Sequence, residues 1–221
     1  MAKNGHDDAV LVVGLGRFGS AVADALARLG HEVLAIDTNA DLVQTWSSRL
    51  THVVQADATS ERALRQLGAQ DFKVAVVAIG TGIEASLLTA GVLVDIKVPT
   101  IWGKAITTAH GRLLERVGVH HVVYPERSMG ERVAHLMTSR LIDFIEFDDG
   151  FAIAKMRAPG EAFDKTLTES ALRRKYGITI VGVKRPGTDF TYAQANTVVH
   201  EGDLLIVSGH TDLVEKFAAA P

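Results

Sequence analysis

The chain of 221 residues contains no cysteine. That absence excludes disulfides, thiolate zinc sites and cysteine-held iron–sulfur clusters, and it suits a reducing cytosol. Neither sign of charge dominates: 23 Lys and Arg stand against 26 Asp and Glu, a net charge of -3. With no basic stripe there is no electrostatic footprint for nucleic acid. The densest basic cluster, Arg173-Arg174-Lys175, reads as a solvated helix face. No apolar run approaches the ~20 residues of a membrane helix, so direct membrane insertion is not expected. The opening segment MAKNGHDDAV also lacks the apolar centre of a signal peptide. The GxSxG elbow, the HExxH zinc helix and the GxxxxGK[ST] phosphate loop are all missing. The histidines number 9 and are mostly isolated. His120 and His121 are adjacent, and on a strand start they point to opposite faces. No catalytic residue is assigned.

What is present is a phosphate-binding grammar. Val10-Leu11-Val12-Val13 leads into Gly14-x-Gly16-x-x-Gly19, and an alanine-rich helical pattern follows. The first glycine permits a sharp turn, the second lets backbone approach a pyrophosphate, and the third lets helix pack closely on strand. The helix start then offers unpaired N–H groups and the positive end of its dipole to an anion. His31 to Ile36 reads as a second strand closed by Asp37. That acid stands roughly 20 residues past the loop, where a carboxylate can accept from both ribose hydroxyls. A glycine turn kept only for packing would not explain it.

The pattern alternates strand and helix up to about Tyr124, which predicts a doubly wound parallel sheet of Rossmann type in an α/β protein. Strands are expected at Val10–Val13, Glu32–Ile36, His52–Gln55, Lys73–Ile79, Pro99–Trp102 and His121–Tyr124. Helices are expected at Ser20–Leu29, Asp41–Ser48, Glu61–Leu67, Ile83–Leu93 and Thr108–Val117. A further helix carries Met129, Val133, Leu136, Met137 and Leu141 at helical spacing. Either it covers its own sheet, or it is a crossover helix whose apolar face packs on a second subunit. The remainder reads as a small α+β domain. Its strands are Phe144–Phe147, Phe151–Met156, Ile178–Val183 and Leu204–Gly209, with a turn at Asp148-Asp149-Gly150 and helices at Thr168–Tyr176 and Thr211–Phe217. The expected division is 1–125, 126–142 and 143–221.

Ligands of open parallel sheets lie at the carboxyl ends of the strands. Asp57, Ala58 and Thr59 end the third strand, where the acid and hydroxyl can border an adenine. Thr59 can equally cap the next helix. Ala78 ends the fourth strand beside the glycine loop and leaves room for a nucleotide. Lys104 follows the fifth strand and can reach a phosphate. Glu126 follows the sixth; beside phosphates a carboxylate is repelled unless a cation intervenes, so it is either a metal-linked contact or a helix-start acid. Arg17, inside the loop, can pair with a terminal phosphate or a neighbouring subunit. An NAD(P)-dependent oxidoreductase is the alternative reading, but its acid/base could come only from His200 or His210.

The stretches VLVVGLGRFGSAVADAL, Ala35-Ile36-Asp37, Ala56-Asp57-Ala58-Thr59 and Tyr124-Pro125-Glu126-Arg127-Ser128-Met129-Gly130 resemble the RCK family (regulator of potassium conductance). The likeness is to the free-standing gating subunits of Ktr and Trk potassium uptake systems, and it covers essentially the whole chain. It implies a nucleotide-sensing regulator, not an enzyme: a homodimer assembled into an octameric ring beneath an integral-membrane potassium pore subunit. Such a protein is cytoplasmic, peripheral to the inner face of the membrane through that partner. ATP, ADP or NAD(H) at the glycine loop would set the ring's shape. By that resemblance Gly14, Gly16, Arg17, Phe18 and Gly19 take the phosphates, Asp37 the ribose, and Asp57 and Thr59 the adenine border, while Glu126 sits near the phosphates and a bridging divalent cation. The family's C-terminal lobe can bind cyclic di-AMP at its dimer interface. Here Val181-Gly182-Val183-Lys184-Arg185 occupies the matching stretch, with a glycine where an apolar residue is usual.

Overall fold

A computed structural model describes residues 9–147 and 149–219. The chain divides into two compact units, Met1–Arg127 and Ser128–Pro221. In the first, strands β1 (Val10–Val13), β2 (Val33–Asp37), β3 (His52–Gln55), β4 (Val74–Val77), β5 (Thr100–Lys104) and β6 (His121–Val123) alternate with helices α1 (Arg17–Arg28), α2 (Ala40–Trp46), α3 (Glu61–Gln66), α4 (Ile83–Asp95) and α5 (Thr108–Val117). The strands pair in parallel in the order β3-β2-β1-β4-β5-β6, the Rossmann arrangement. β1 explains why a continuous apolar run was required. Leu11 and Val13 enter one core layer and Val10 and Val12 the other, so both faces of the central strand are dry.

Among the boundaries that differ from expectation, two beside the glycine loop shape the site. Helix α1 begins at Arg17 rather than near Ser20, because Gly16 already serves as its N-cap. Arg17, Phe18 and Gly19 are therefore its first turn, not a loop before it. Strand β4 stops at Val77; Ala78 still donates its N–H to Val13 O at 2.7 Å, and the chain leaves the sheet after it. Side chains cap the other helix starts of this sheet where a cap is present. Asn39 accepts from the N–H groups of Asp41 and Leu42, Ser60 from that of Ala63, and Thr107 from that of His110. The cap of α3 is thus Ser60, and Thr59 is freed from that role.

Helix α6 (Pro125–Thr138) carries the chain from the first unit into the second. Proline suits its first position, where the missing N–H costs nothing. Leu136 packs against the second unit's core, whereas Met129, Val133 and Met137 are exposed at 55%, 43% and 80%. Leu141 does not belong to this stripe; it is buried in the strand that follows.

The second unit holds β7 (Leu141–Glu146), β8 (Phe151–Arg157), β9 (Lys165–Thr166), α7 (Leu167–Ser170), α8 (Leu172–Tyr176), β10 (Thr179–Lys184), β11 (Phe190–Tyr192), β12 (Val198–Val199), β13 (Leu204–His210) and α9 (Thr211–Ala218). Five of these strands form an antiparallel sheet, β11-β10-β13-β8-β7, and β12 pairs with β9. Phe217, Val214 and Leu172 bury against the sheet's Ala154, Met156, Leu205 and Val207. The helix expected over Thr168–Tyr176 breaks in two at Ala171, which adopts a left-handed φ of 52°. A capping box between Thr166 and Glu169 starts α7 one residue earlier than expected. Gly182 follows a register shift in β10, and the Phe190 ring lies where its side chain would be. Asp148 of the expected turn lies outside the described residues. Among those described, no helix is long and apolar enough to cross a membrane.

Candidate functional site

In this sheet the strand order reverses between β1 and β4, so the loops leaving their carboxyl ends diverge and open a crevice. A cavity of about 850 Å³ lies there. Gly14, Gly16, Arg17, Phe18, Asp37, Asp57, Ala58, Thr59, Ala78, Lys104 and Glu126 all line it, drawn from all six strand ends or the turns that follow them. The structure thus gathers eleven of the twelve sequence-derived candidates at one site.

Gly19 is the exception, and the reason is geometric. It lies behind the loop, where a Cβ would overlap the Gly14 carbonyl oxygen and stand 2.8 Å from the Ala78 Cβ. Its job is the close passage of α1 over β1 and the β4 exit, not lining the ligand's space. Gly14 needs its glycine for another reason, a φ of 98° that side chains avoid. Gly16 has nothing within 4 Å of a built Cβ, so its missing side chain leaves open space over the loop.

Asp37 holds the loop as well as facing the cavity. Its Oδ2 accepts from the Leu15 N–H at 2.6 Å and its Oδ1 from the Asn39 N–H at 2.8 Å. Each oxygen keeps a further lone pair, which is what two ribose hydroxyls would need. At the end of the neighbouring strand, Asp57 Oδ1 accepts from both the N–H and the hydroxyl of Thr59. Those two bonds hold the Asp57 carboxyl below its ordinary range, so it stays an anionic acceptor at the rim.

Arg17 is exposed and, among the described residues, its guanidinium has no hydrogen-bond partner. Lys104 differs from the exposed residue a strand-end lysine suggests. It is only 7% exposed, and its Nζ donates to Glu126 Oε1 at 2.6 Å. The ammonium also lies 5.8 Å from the centre of the Phe18 ring. This bond is the main cause that pulls the Glu126 carboxyl below its usual range. The cations beside Glu126 in this unit are thus Lys104, hydrogen-bonded to it, and Arg17, whose charge also lowers the Glu126 carboxyl. Among the described residues no group of three or more His, Asp or Glu is placed to hold a metal ion.

Sequence reasoning missed Thr38, Asn39, Leu42, Thr81, Gly82, Ala85, Thr89 and Ile106, which also line the cavity. Most carry no chemical signal of their own. Thr89 does: its hydroxyl is fully buried on the cavity wall and has no partner among the described residues. An orphaned buried hydroxyl is costly unless something else satisfies it. The helix start of α1, which no side chain caps, and the paired acceptors of Asp37 fit a bound nucleotide.

Comparison with known proteins places this geometry in a family. The TrkA-N domain matches residues 10–125 and the TrkA-C domain residues 152–220. Ktr system potassium uptake protein A of Bacillus subtilis (strain 168) is 36% identical over 207 residues, covering 93% of this chain and 93% of that protein. The protein of the same description from Vibrio alginolyticus is 32% identical, covering 93% and 94%. Among solved structures, the GsuK channel bound to NAD superimposes with a TM-score of 0.69 at 19% identity. That likeness covers 100% of this chain but 41% of the GsuK chain, and at such identity it speaks for the fold alone.

Proposed function

This chain belongs to the family of TrkA-N and TrkA-C proteins, and from that premise we propose that it is the nucleotide-sensing regulatory subunit of a potassium uptake system. The observation that carries the reading is the cavity where the glycine loop, the uncapped start of α1, Asp37 and the exposed Arg17 converge. The ligand is an adenine nucleotide. Asp37 accepts from its ribose, Asp57 and Thr59 border its base, and the N–H groups of the first turn of α1 take its phosphates. The protein does not turn the nucleotide over. His200 and His210, the only acid/base candidates outside the cavity weighed from sequence, belong to the second unit, where His200 pairs with Asp164.

A regulator needs a ligand that favours one conformation over another. ATP and ADP share the phosphates that backbone groups hold, so discrimination falls to a cation that reaches only the terminal phosphate. Arg17 is that cation. Arg17→Ala is expected to weaken ATP binding by roughly 1.5–3 kcal/mol, the scale of a charged hydrogen bond, and to leave ADP within a few tenths. Titration calorimetry with ADP, ATP and NAD checks this. Equal losses for ADP and ATP would make Arg17 a general phosphate anchor, and a wild type that prefers NAD over both would replace the ligand.

The partner is an integral-membrane potassium pore subunit, which brings the chain to the cytosolic face of the membrane. Exposed Met129, Val133 and Met137 on α6 supply an apolar face for a second copy of the chain, and dimers of this kind close into a ring, an octamer in this reading. Sedimentation at micromolar concentration is expected to show a dimer or larger. A stable monomer there would remove the assembly from the proposal.

A further inference from the structure

We propose that His110 makes the cavity sensitive to acid: while neutral it holds the wall at Ile106 in place, and on taking up a proton it releases that wall. The inference rests on the nucleotide reading above and adds a regulation of the same site.

His110 is the third residue of α5, and its backbone N–H donates to the Thr107 hydroxyl that caps the helix. Its side chain turns back toward the chain entering the helix, where Nδ1 accepts from the Ile106 N–H at 3.4 Å. The arrangement is a capping box moved back by one residue, with histidine in the place of the usual glutamate or glutamine. A glutamate there would accept throughout the neutral range. A histidine accepts only while neutral, because both ring nitrogens of the imidazolium are donors.

That bond belongs to the ligand's space. Ile106 lines the cavity, as does Lys104 just before it. The chain is tied to β6 as far as Ala105, whose N–H donates to Val123 O at 2.8 Å. Past that point, among the described residues, His110 alone accepts from the Ile106 N–H.

The ring itself is shut in, at 1% exposure for the residue. With Nδ1 accepting, the proton of the neutral ring sits on Nε2, which is buried and has no partner among the described residues. A second proton would place a charge where water is excluded, close to the positive end of the α5 dipole. Burial accordingly pushes the imidazole below its ordinary range, with no charged neighbour contributing.

The surroundings explain why. Helix α5 packs on α4, β5 and β6. From α4 the buried polar groups are the hydroxyls of Ser86 and Thr89, while Glu84 and Asp95 are exposed. The charged residues of α5 itself, Arg112, Glu115 and Arg116, are exposed too. Gly103 of β5 faces Leu114 of α5, so Trp102 and Lys104 point to the other side of the sheet, where His121 of β6 stacks on Trp102. The Tyr124 hydroxyl beside Gly111 completes the titratable neighbours. Among the described residues, no carboxylate faces the ring to hold a second proton on it.

Protonation would set an Nδ1–H against the Ile106 N–H, donor to donor, and the wall would yield. An opened wall takes up the proton near the ordinary value of 6.5, the closed one only lower. Closure is therefore complete above that value and is lost as the pH falls from it toward the lowered one.

Titration calorimetry with ADP from about pH 7.5 to 5.5, on the full wild-type chain and on His110→Gln, tests this. ADP takes up a proton of its own in this range, a contribution common to both proteins. Glutamine keeps an acceptor for the Ile106 N–H at every pH, so the wild type should lose several-fold more affinity on acidification than the variant. Equal losses overturn the proposal. Two readouts on the wild type need neither variant nor nucleotide. Nitrogen chemical shifts of the His110 ring should show Nδ1 bare and Nε2 protonated at neutral pH. Hydrogen exchange over 105–110, corrected for its intrinsic pH dependence, should quicken several-fold on acidification. A protonated Nδ1 at neutral pH, or corrected exchange that does not move, overturns the proposal and leaves the nucleotide site intact. A wild type that binds ADP at no pH, with both readouts as expected, overturns the nucleotide reading while the histidine's hold on Ile106 stands.

Discussion

Gly19→Ala is expected to abolish measurable ADP binding and to lower the melting temperature of the first unit by roughly 10 °C, which corresponds to about 3 kcal/mol in a unit of this size. The substitution adds one methyl group. That methyl would overlap the Gly14 carbonyl oxygen and crowd the Ala78 Cβ at 2.8 Å. The obstacle on the Gly14 side is backbone, which cannot rotate away like the end of a side chain. Either α1 lifts off the sheet or the loop is pushed outward. Lifting opens the packing of Leu15 and Ala23 in the core layer beneath α1. Pushing the loop disturbs the Gly14 N–H bond to Ile36 O at 2.7 Å and with it the turn that aims the first-turn N–H groups. Gly16→Ala is the control, since its Cβ meets nothing within 4 Å. It should keep the wild-type melting temperature and lose affinity alone. Differential scanning fluorimetry and calorimetry on both variants check the pair. A Gly19→Ala protein of wild-type stability would show that the close passage of helix over strand is not what the third glycine serves.

Asp37→Ala should cost roughly 2–4 kcal/mol of ADP affinity, two charge-assisted hydrogen bonds to the ribose. A carboxylate at an open strand end reads from the sequence as dispensable for folding. The structure predicts otherwise. Alanine leaves the Leu15 and Asn39 N–H groups without their acceptor, and Leu15 is buried in the core at 1% exposure. A buried donor left unsatisfied costs about 1–3 kcal/mol, so stability should fall as well. Pyrophosphate separates the two effects, because it has no ribose. If Asp37 acts only on the ribose, pyrophosphate affinity is retained in the variant. If it also shapes the loop, pyrophosphate weakens too, which is the result expected here. Unchanged ADP affinity would remove Asp37 from the site.

How far the residues alone could be read follows from the range of each interaction. The Gly14-x-Gly16-x-x-Gly19 spacing and the acid closing β2 were legible because they are local. A turn, a helix start and a strand end are specified by neighbouring residues, and the sheet order follows from alternating apolar strands and helices. Short strands such as β9, β11 and β12 were not, since two or three residues carry no period. The break at Ala171 was hidden as well, for nothing in LRRKY or LTES marks a left-handed alanine between them.

The sequence by itself determined the fold class, the place of the cavity at the strand ends and eleven of the residues that line it. Only the tertiary structure decided what those residues do to one another. Lys104 and Glu126 are 22 positions apart and meet because β5 and β6 are neighbours in the sheet. Burial then makes an anionic partner obligatory for the lysine. Asp37 reaches the Leu15 N–H because β1 and β2 lie side by side. Gly19 is a packing residue because the helix after β1 passes over the exit of β4. In each case a local pattern names the residue, while the distance to a partner remote in sequence sets its energy.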